Sequence, residues 1–153
     1  MDYIFRKAEK ADSKKIEELF MEMLRTIYKT DDVEGYEEGY LGRYFGDGED
    51  LVYVAESGND IVAFLSVQVY REDGYMYLDD LSVTEEHRGN GIGTKLIRMA
   101  ESYSDEIDIP AIVFHVEKSN DRAHSLYKRI GYWDNEDQGS RIRMVKDKRV
   151  NNG

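Results

Sequence analysis

The chain has 153 residues, enough for one ordinary domain with a single core, and it lacks cysteine, so it has no disulfide framework, thiolate metal site or thiol nucleophile. Its three histidines, His87, His115 and His124, lack zinc-motif spacing, and no metal is expected. A net charge of −11 argues against nucleic acid as a partner; with no membrane-length apolar window and no apolar signal core in "MDYIFRKAEKAD", a soluble, cytoplasmic protein is expected.

From the N-terminus, "DYIFRKA" alternates as a strand does. "ADSKKIEELFMEMLRTIYKT" then carries Ile16, Leu19, Phe20, Met23 and Ile27 at spacings of three and four, the pattern of an amphipathic helix capped by Asp12 or Ser13. "DDVEGYEEGYLGRYFGDGED" is acidic and broken by glycines, and reads as a weak helix or an ordered loop. "LVYVAES" and "IVAFLSVQVY", joined at "GND", read as a hairpin, and "GYMYLDDLSV" follows across "REDG" as a third antiparallel strand. After a glycine-rich stretch, "IGTKLIRMAESYS" is a helix, "AIVFHVE" a short apolar strand, "NDRAHSLYKRI" a second helix ended by Gly131, and "SRIRMVKD" a last strand. The strand, helix, strand order over residues 77–117 implies one parallel crossover in an otherwise antiparallel sheet. Residues 1–148 are expected to form one domain, with 149–153 as a flexible tail.

The charge changes sign along the chain. Residues 1–87 hold 9 basic and 22 acidic residues, a net −13, whereas residues 88–153 hold 12 and 10, a net +2. An anionic ligand on the second half and a cationic one facing the first would suit this asymmetry, although a solvated acidic surface gives the same count.

The sign changes at "HRGNGIGTKL". A strand leads into glycines and the glycines into a helix N-terminus, whose unpaired N–H groups and dipole favour an anion such as phosphate. A tight structural turn would use glycine in the same way. The dinucleotide and P-loop fingerprints both fail, because each would need glycine where Thr94 stands. Arg88-x-x-Gly91-x-Gly93 instead resembles the pyrophosphate-binding motif of the GNAT superfamily of acetyl-CoA-dependent N-acetyltransferases. "LSV" upstream is similar to the end of that family's fourth strand and "AIVFHVEKSN" to its fifth. "NDRAHSLYKRIGY" resembles its N-x-x-A-x-x-L/F-Y-x-x-x-G-F/Y block. Together these cover about half the chain, while residues 1–60 match only in element order.

The resemblance implies an α/β fold in which a mostly antiparallel twisted sheet contains one parallel pair, splayed to hold CoA, with about four flanking helices. It implies that Leu81, Ser82 and Val83 bond the pantetheine arm of acetyl-CoA through their backbone. The N–H groups across Arg88, Gly89, Asn90, Gly91, Ile92, Gly93 and Thr94 would hold the pyrophosphate, and Asn120 would contact the pantetheine or adenosine side; an N-cap role for Asn120 is compatible with this. Tyr127 stands where the family carries the tyrosine that protonates the departing thiolate, although a tyrosine beside Leu126 also suits a core. Asp79 and Asp80 match the acidic pair of polyamine-type members, which implies that Asp79 acts as base through water and Asp80 binds the substrate amine. Histone-type members place the base two residues earlier, at Tyr77, so that mechanism does not transfer. The family's habit of pairing makes a homodimer an expectation.

The acceptor is the least family-like part of the reading. Residues 31–50 hold eight acids and one base, Arg43, and Tyr36, Tyr40 and Tyr44 recur every four residues. A helical segment would align them in one stripe, open either to core packing or to facing a cation. With Asp80, Tyr36 and Tyr40 as substrate-binding residues, the expected acceptor is a small cationic amine such as a polyamine or lysine-like molecule. A protein or peptide acceptor, a longer acyl donor and a non-catalytic acetyl-CoA sensor remain alternatives.

Overall fold

The computed structural model describes residues 2–150. In chain order it contains β1 (Ile4–Lys7), α1 (Ser13–Tyr28), a short 3-10 turn at Tyr40–Tyr44, β2 (Leu51–Ser57), β3 (Asp60–Tyr70), β4 (Tyr75–Val83), α2 (Ile92–Glu106), β5 (Ala111–Glu117), α3 (Asp121–Arg129), β6 (Trp133–Asp137) and β7 (Arg141–Asp147). Hydrogen bonding orders the strands β1-β2-β3-β4-β5-β7-β6. The mixed sheet with a parallel pair, β4 and β5, is the expected architecture. Three α-helices stand among the described residues where about four were expected. None is long and apolar enough to cross a membrane.

Contacts gather the chain into two compact units. Among the described residues, one takes in those up to Gln68 together with Asp79–Ala100; the other holds Val69–Leu78 and those from Glu101 to Val150. In the first unit β1 and β2 pair antiparallel, Ile4 opposite Glu56 and Lys7 opposite Tyr53, and β2 returns into β3 through a two-residue turn that sets Ser57 opposite Asp60. α1 contributes Ile16 and Leu19 to a core that Tyr44, Val52, Val54 and Phe64 share. The apolar stripe of α1 stops early, since Ile27 is 51% exposed instead of buried as its spacing predicts. Neither predicted cap acts as one. The Asp12 carboxylate is drawn to Arg6 at 2.8 Å and to the Glu9 N–H at 2.7 Å, and the Ser13 hydroxyl donates back to the Lys10 carbonyl. Asp12 therefore fastens the strand-to-helix joint, with its pKa lowered chiefly by the Arg6 hydrogen bond.

In the second unit β4 and β5 form the parallel pair, Tyr75 opposite Ala111 and Tyr77 opposite Val113, and β5 pairs antiparallel along its other edge with β7. β6 is absent from the sequence reading. Its "WDNED" is acidic, does not alternate and is almost wholly exposed, yet β7 holds it through the pairs Trp133 to Val145 and Asp137 to Ile142. An edge strand needs no apolar face when one neighbour supplies its ladder. At the C-terminus Arg149 grips Asp147 and the Val150 N–H reaches the Asp147 carbonyl. The rest of the predicted tail, residues 151–153, lies outside the described residues.

Both ends of α3 are capped as the sequence predicts. The Asn120 side chain accepts the Ala123 N–H at 3.2 Å. At the other end Gly131 N–H reaches Lys128 O and Tyr132 N–H reaches Tyr127 O, a Schellman closure. Gly131 sits at φ 106°, and a Cβ there would press on the Lys146 side chain at 3.1 Å. Asn120→Ala should lower unfolding free energy by about 1 kcal/mol, and Asn120→Asp should retain most of it, as denaturant titration will show.

Candidate active site

Asp79 and Asp80 follow each other on β4, where successive side chains ordinarily face opposite ways. Both are nonetheless engaged by one aromatic column. The Tyr36 hydroxyl donates to Asp80 Oδ2 at 2.8 Å, and the Tyr40 hydroxyl donates to Asp79 Oδ2 at 2.7 Å. Behind them, Gln68 Nε2 donates to the Tyr44 hydroxyl at 2.9 Å and to that of Tyr40 at 3.3 Å, and the Asp80 N–H donates to Ser66 Oγ at 3.0 Å. The four predicted acceptor-side residues, Asp79, Asp80, Tyr36 and Tyr40, therefore form one cluster.

The column is built by α1 and the residues before β2. Phe20 stacks on Tyr36 with ring centres 3.9 Å apart, Tyr36 stacks on Tyr40 at 4.9 Å, and Tyr44 meets Tyr40 edge-on. The four-residue spacing is real although only Tyr40–Tyr44 is helical, and that as a 3-10 turn. Both faces of Tyr36 are covered, so this ring offers a ligand no π-face; its hydroxyl is the part engaged, on Asp80. Burial, then the Asp80 charge, raises the Tyr36 phenol well above its ordinary value. Tyr40 and Tyr44 are likewise raised, chiefly by burial, and all three stay protonated donors at neutral pH. The Asp80 carboxyl is pushed up to about 6 by burial and then by the neighbouring Asp79, against the Tyr36 hydrogen bond, which lowers it. Of the eight acids in 31–50, six (Asp31, Asp32, Glu34, Glu37, Glu38 and Asp47) are exposed, and Asp50 is paired with Arg43 at 3.1 Å.

The glycine stretch belongs to the same unit. Gly89 and Gly91 have φ of 81° and 75°, and a Cβ at either would meet nothing within 4 Å, so glycine is demanded there by the left-handed backbone and not by crowding. Gly93 is helical and faces Leu81, whose Cδ2 a Cβ would touch at 3.7 Å. Lys95 N–H to Gly91 O is the first bond of α2, which leaves the N–H groups of Ile92, Gly93 and Thr94 ahead of the helical ladder. The side chains are spent on scaffolding. Ile92 is buried, the Ser82 hydroxyl reaches Leu19 O, Arg88 Nε donates to Val83 O and Asn90 Nδ2 to His87 O. What this loop presents to a ligand is backbone.

In the second unit, Tyr127 packs edge-on to Phe114 with ring centres 4.7 Å apart, and burial raises its phenol, so it keeps its proton. Asn120 caps α3. The Tyr77 hydroxyl lies 2.6 Å from His115 Nδ1, and burial, followed by the Arg141 charge, lowers the His115 pKa, keeping the imidazole neutral. Sequence reasoning missed this pair, which residues 38 apart disclose only once two strands are set in parallel register. Ser66 and Gln68 were also missed; their signal is two polar residues, two apart, in the otherwise apolar "IVAFLSVQV".

Residues 15–132 match the model of the acetyltransferase (GNAT) family. An uncharacterized N-acetyltransferase of Methanocaldococcus jannaschii is 31% identical over 153 aligned residues, covering 95% of this chain and 92% of that one. Among solved structures, PaiA N-acetyltransferase of Thermoplasma acidophilum in complex with coenzyme A superimposes with a TM-score of 0.78 at 19% identity, covering 96% and 99% of the two chains. Arabidopsis thaliana Naa50 in complex with the bisubstrate analogue CoA-Ac-MVNAL gives 0.75 at 18%, over 96% and 99%. The chain belongs to the acetyltransferase (GNAT) family, and with it to the acyl-CoA-dependent N-acetyltransferases.

A carboxyl whose pKa is raised on folding opposes stability once it ionises. The contribution of Asp80 is fully present below its unfolded value near 3.8 and is lost as pH rises through about 6. Thermal melts of Asp80→Asn and the native chain should therefore diverge in favour of the variant between pH 4.5 and 7.5 (roughly the window flanking that titration). Parallel melting curves across that range would place Asp80 in an environment no different from water.

Proposed function

We propose that this protein transfers an acetyl group from acetyl-CoA to a primary amine by direct attack in a ternary complex, and that the acceptor is a small cationic amine, a polyamine or a lysine-like molecule. The observation that carries the acceptor is the pair Asp79 and Asp80, two carboxylates held side by side by the Tyr40 and Tyr36 hydroxyls. The donor rests on the family and on the loop of Arg88 to Thr94, whose left-handed glycines and unladdered N–H groups suit a pyrophosphate.

In this reading Asp80 anchors the acceptor ammonium, and Asp79, through water, takes the proton that must leave before nitrogen can attack the thioester carbonyl. The tetrahedral intermediate collapses with departure of the CoA thiolate. Tyr127, which burial keeps protonated, supplies the thiolate proton and recovers its own from the nitrogen as the amide forms. One proton per turnover is left on Asp79 and returns to water. Leu81, Ser82 and Val83 take the pantetheine through their backbone, and Asn120 adds a contact while it caps α3.

A second reading, transfer to the amino end of a protein or peptide, is favoured by the Tyr77 and His115 pair. A phenol 2.6 Å from a neutral imidazole can pass a proton without either aspartate.

An acceptor panel of polyamines, lysine analogues, basic and neutral peptides and amino sugars, scored by release of free CoA, separates these readings. Cationic small amines should be preferred, with a rate that falls as salt rises because exposed attraction is screened over about 8 Å at physiological ionic strength. Asp80→Asn should lower kcat/KM for them roughly 10-fold or more. Preference for neutral peptides, with His115→Ala more damaging than Asp80→Asn, would establish the second reading. Separately, Tyr127→Phe should lower kcat by roughly 100-fold while leaving acetyl-CoA affinity nearly unaltered; full turnover in that variant would return Tyr127 to the core.

A further inference from the structure

Tyr36 is fixed more firmly than a ligand-binding aromatic requires. Phe20 and Tyr40 cover its two faces, and its hydroxyl points at Asp80 Oδ2. The ring is thus a rigid mount for one O–H donor. Asp80 is also aligned from β3, where Ser66 Oγ accepts its N–H, while Tyr40, backed by Gln68, does for Asp79 what Tyr36 does for Asp80. The groups facing Asp80 are Asp79 from its own strand, Tyr36 with Tyr40 and Tyr44 behind it from the segment before β2, and Ser66 and Gln68 from β3; α1 contributes only the uncharged Phe20 to the column.

Resting on the reading of Asp80 as the anchor of a cationic acceptor, we propose that Tyr36 is a positioning residue whose hydroxyl holds the Asp80 carboxylate ionised and in place for the acceptor's ammonium group. Two effects oppose ionisation of Asp80, burial and the adjacent Asp79 charge, and the Tyr36 hydrogen bond works against both. A neutral Asp80 offers an ammonium ion no charge, so acceptor KM rises as pH falls through the Asp80 titration. The tyrosine thereby lowers the pH down to which the site takes its substrate.

Tyr36→Phe keeps the stack and removes the donor. A hydrogen bond to a charged group is worth enough to move the Asp80 titration up by about one pH unit. Carboxyl carbon NMR on the substrate-free protein reads that midpoint directly, and the acid limb of kcat/KM for a cationic amine reads it in turnover; both should shift upward together, through KM more than kcat. Tyr40→Phe should move the Asp80 midpoint less, because its donor serves Asp79. The reciprocal experiment leaves Tyr36 intact: its ring-carbon signal should step with pH as its acceptor Asp80 titrates, and Asp80→Asn should abolish that step. An unchanged Asp80 midpoint in Tyr36→Phe, or an equal shift in Tyr40→Phe, overturns the assignment. Shifted midpoints together with undiminished use of cationic amines by Asp80→Asn would instead leave the Tyr36 and Asp80 coupling standing and overturn the acceptor reading on which its purpose rests.

Discussion

Two carboxylates on neighbouring residues repel each other, and packing them against an aromatic column removes the water that would otherwise damp the repulsion. Something must supply the missing hydrogen bonds, and here it is phenols. Tyr36 and Tyr40 are neutral at any pH the protein meets, so they donate to Asp80 and Asp79 without introducing a charge of their own. A lysine or arginine in their place would neutralise the pair and leave nothing for an incoming ammonium ion. The clamp also explains much of the first unit: α1 must present Phe20, the glycine-broken segment must return three tyrosines to one side, and β3 must accept Ser66 and Gln68 in a buried strand.

The glycine loop follows a different logic. Its side chains are consumed in holding its own shape, Arg88 on Val83 O and Asn90 on His87 O, and what remains outward is backbone. Gly89 and Gly91 let the chain take a left-handed path that residues with a Cβ mostly adopt only at a cost of about 1–2 kcal/mol. Backbone N–H groups are lost only by substitution to proline, so an anion site made this way depends on conformation more than on side-chain identity.

Much of the fold is legible in the sequence because its signals are local. The stripe of Ile16 and Leu19, the hairpin at Gly58 and Asn59, and the closure of α3 by Gly131 are each read from a few residues and stand in the structure. What escaped is non-local. β6 has no pattern of its own and exists because β7 offers it a ladder. Asp12 looks like a cap of α1 by its neighbours, yet its carboxylate is taken by Arg6 and by the Glu9 N–H of the 3-10 turn ahead of that helix. The tyrosine spacing left core packing and a ring facing a cation both open: Tyr44 is buried in the core with Tyr36 and Tyr40 packed against it, and the stacking of Phe20 and Tyr40 on either side of Tyr36 leaves only its hydroxyl directed at a polar group.

The acidic character of the first 87 residues divides, on this structure, into two kinds of charge. Asp31, Asp32, Glu34, Glu37, Glu38 and Asp47 stand in solvent, where each attracts a cation weakly and salt removes most of the attraction. Asp79 and Asp80 are half-buried and hydrogen-bonded, and their field is screened far less. Surface acids can raise the encounter rate of a cationic molecule without distinguishing one from another. In the proposed reading discrimination would come from the clamped pair, where a group that brings no positive charge would leave the two carboxylates repelling and a group that brings one would relieve them. The net charge in the sequence therefore speaks to how a cation would arrive, and the two phenols to what would hold it.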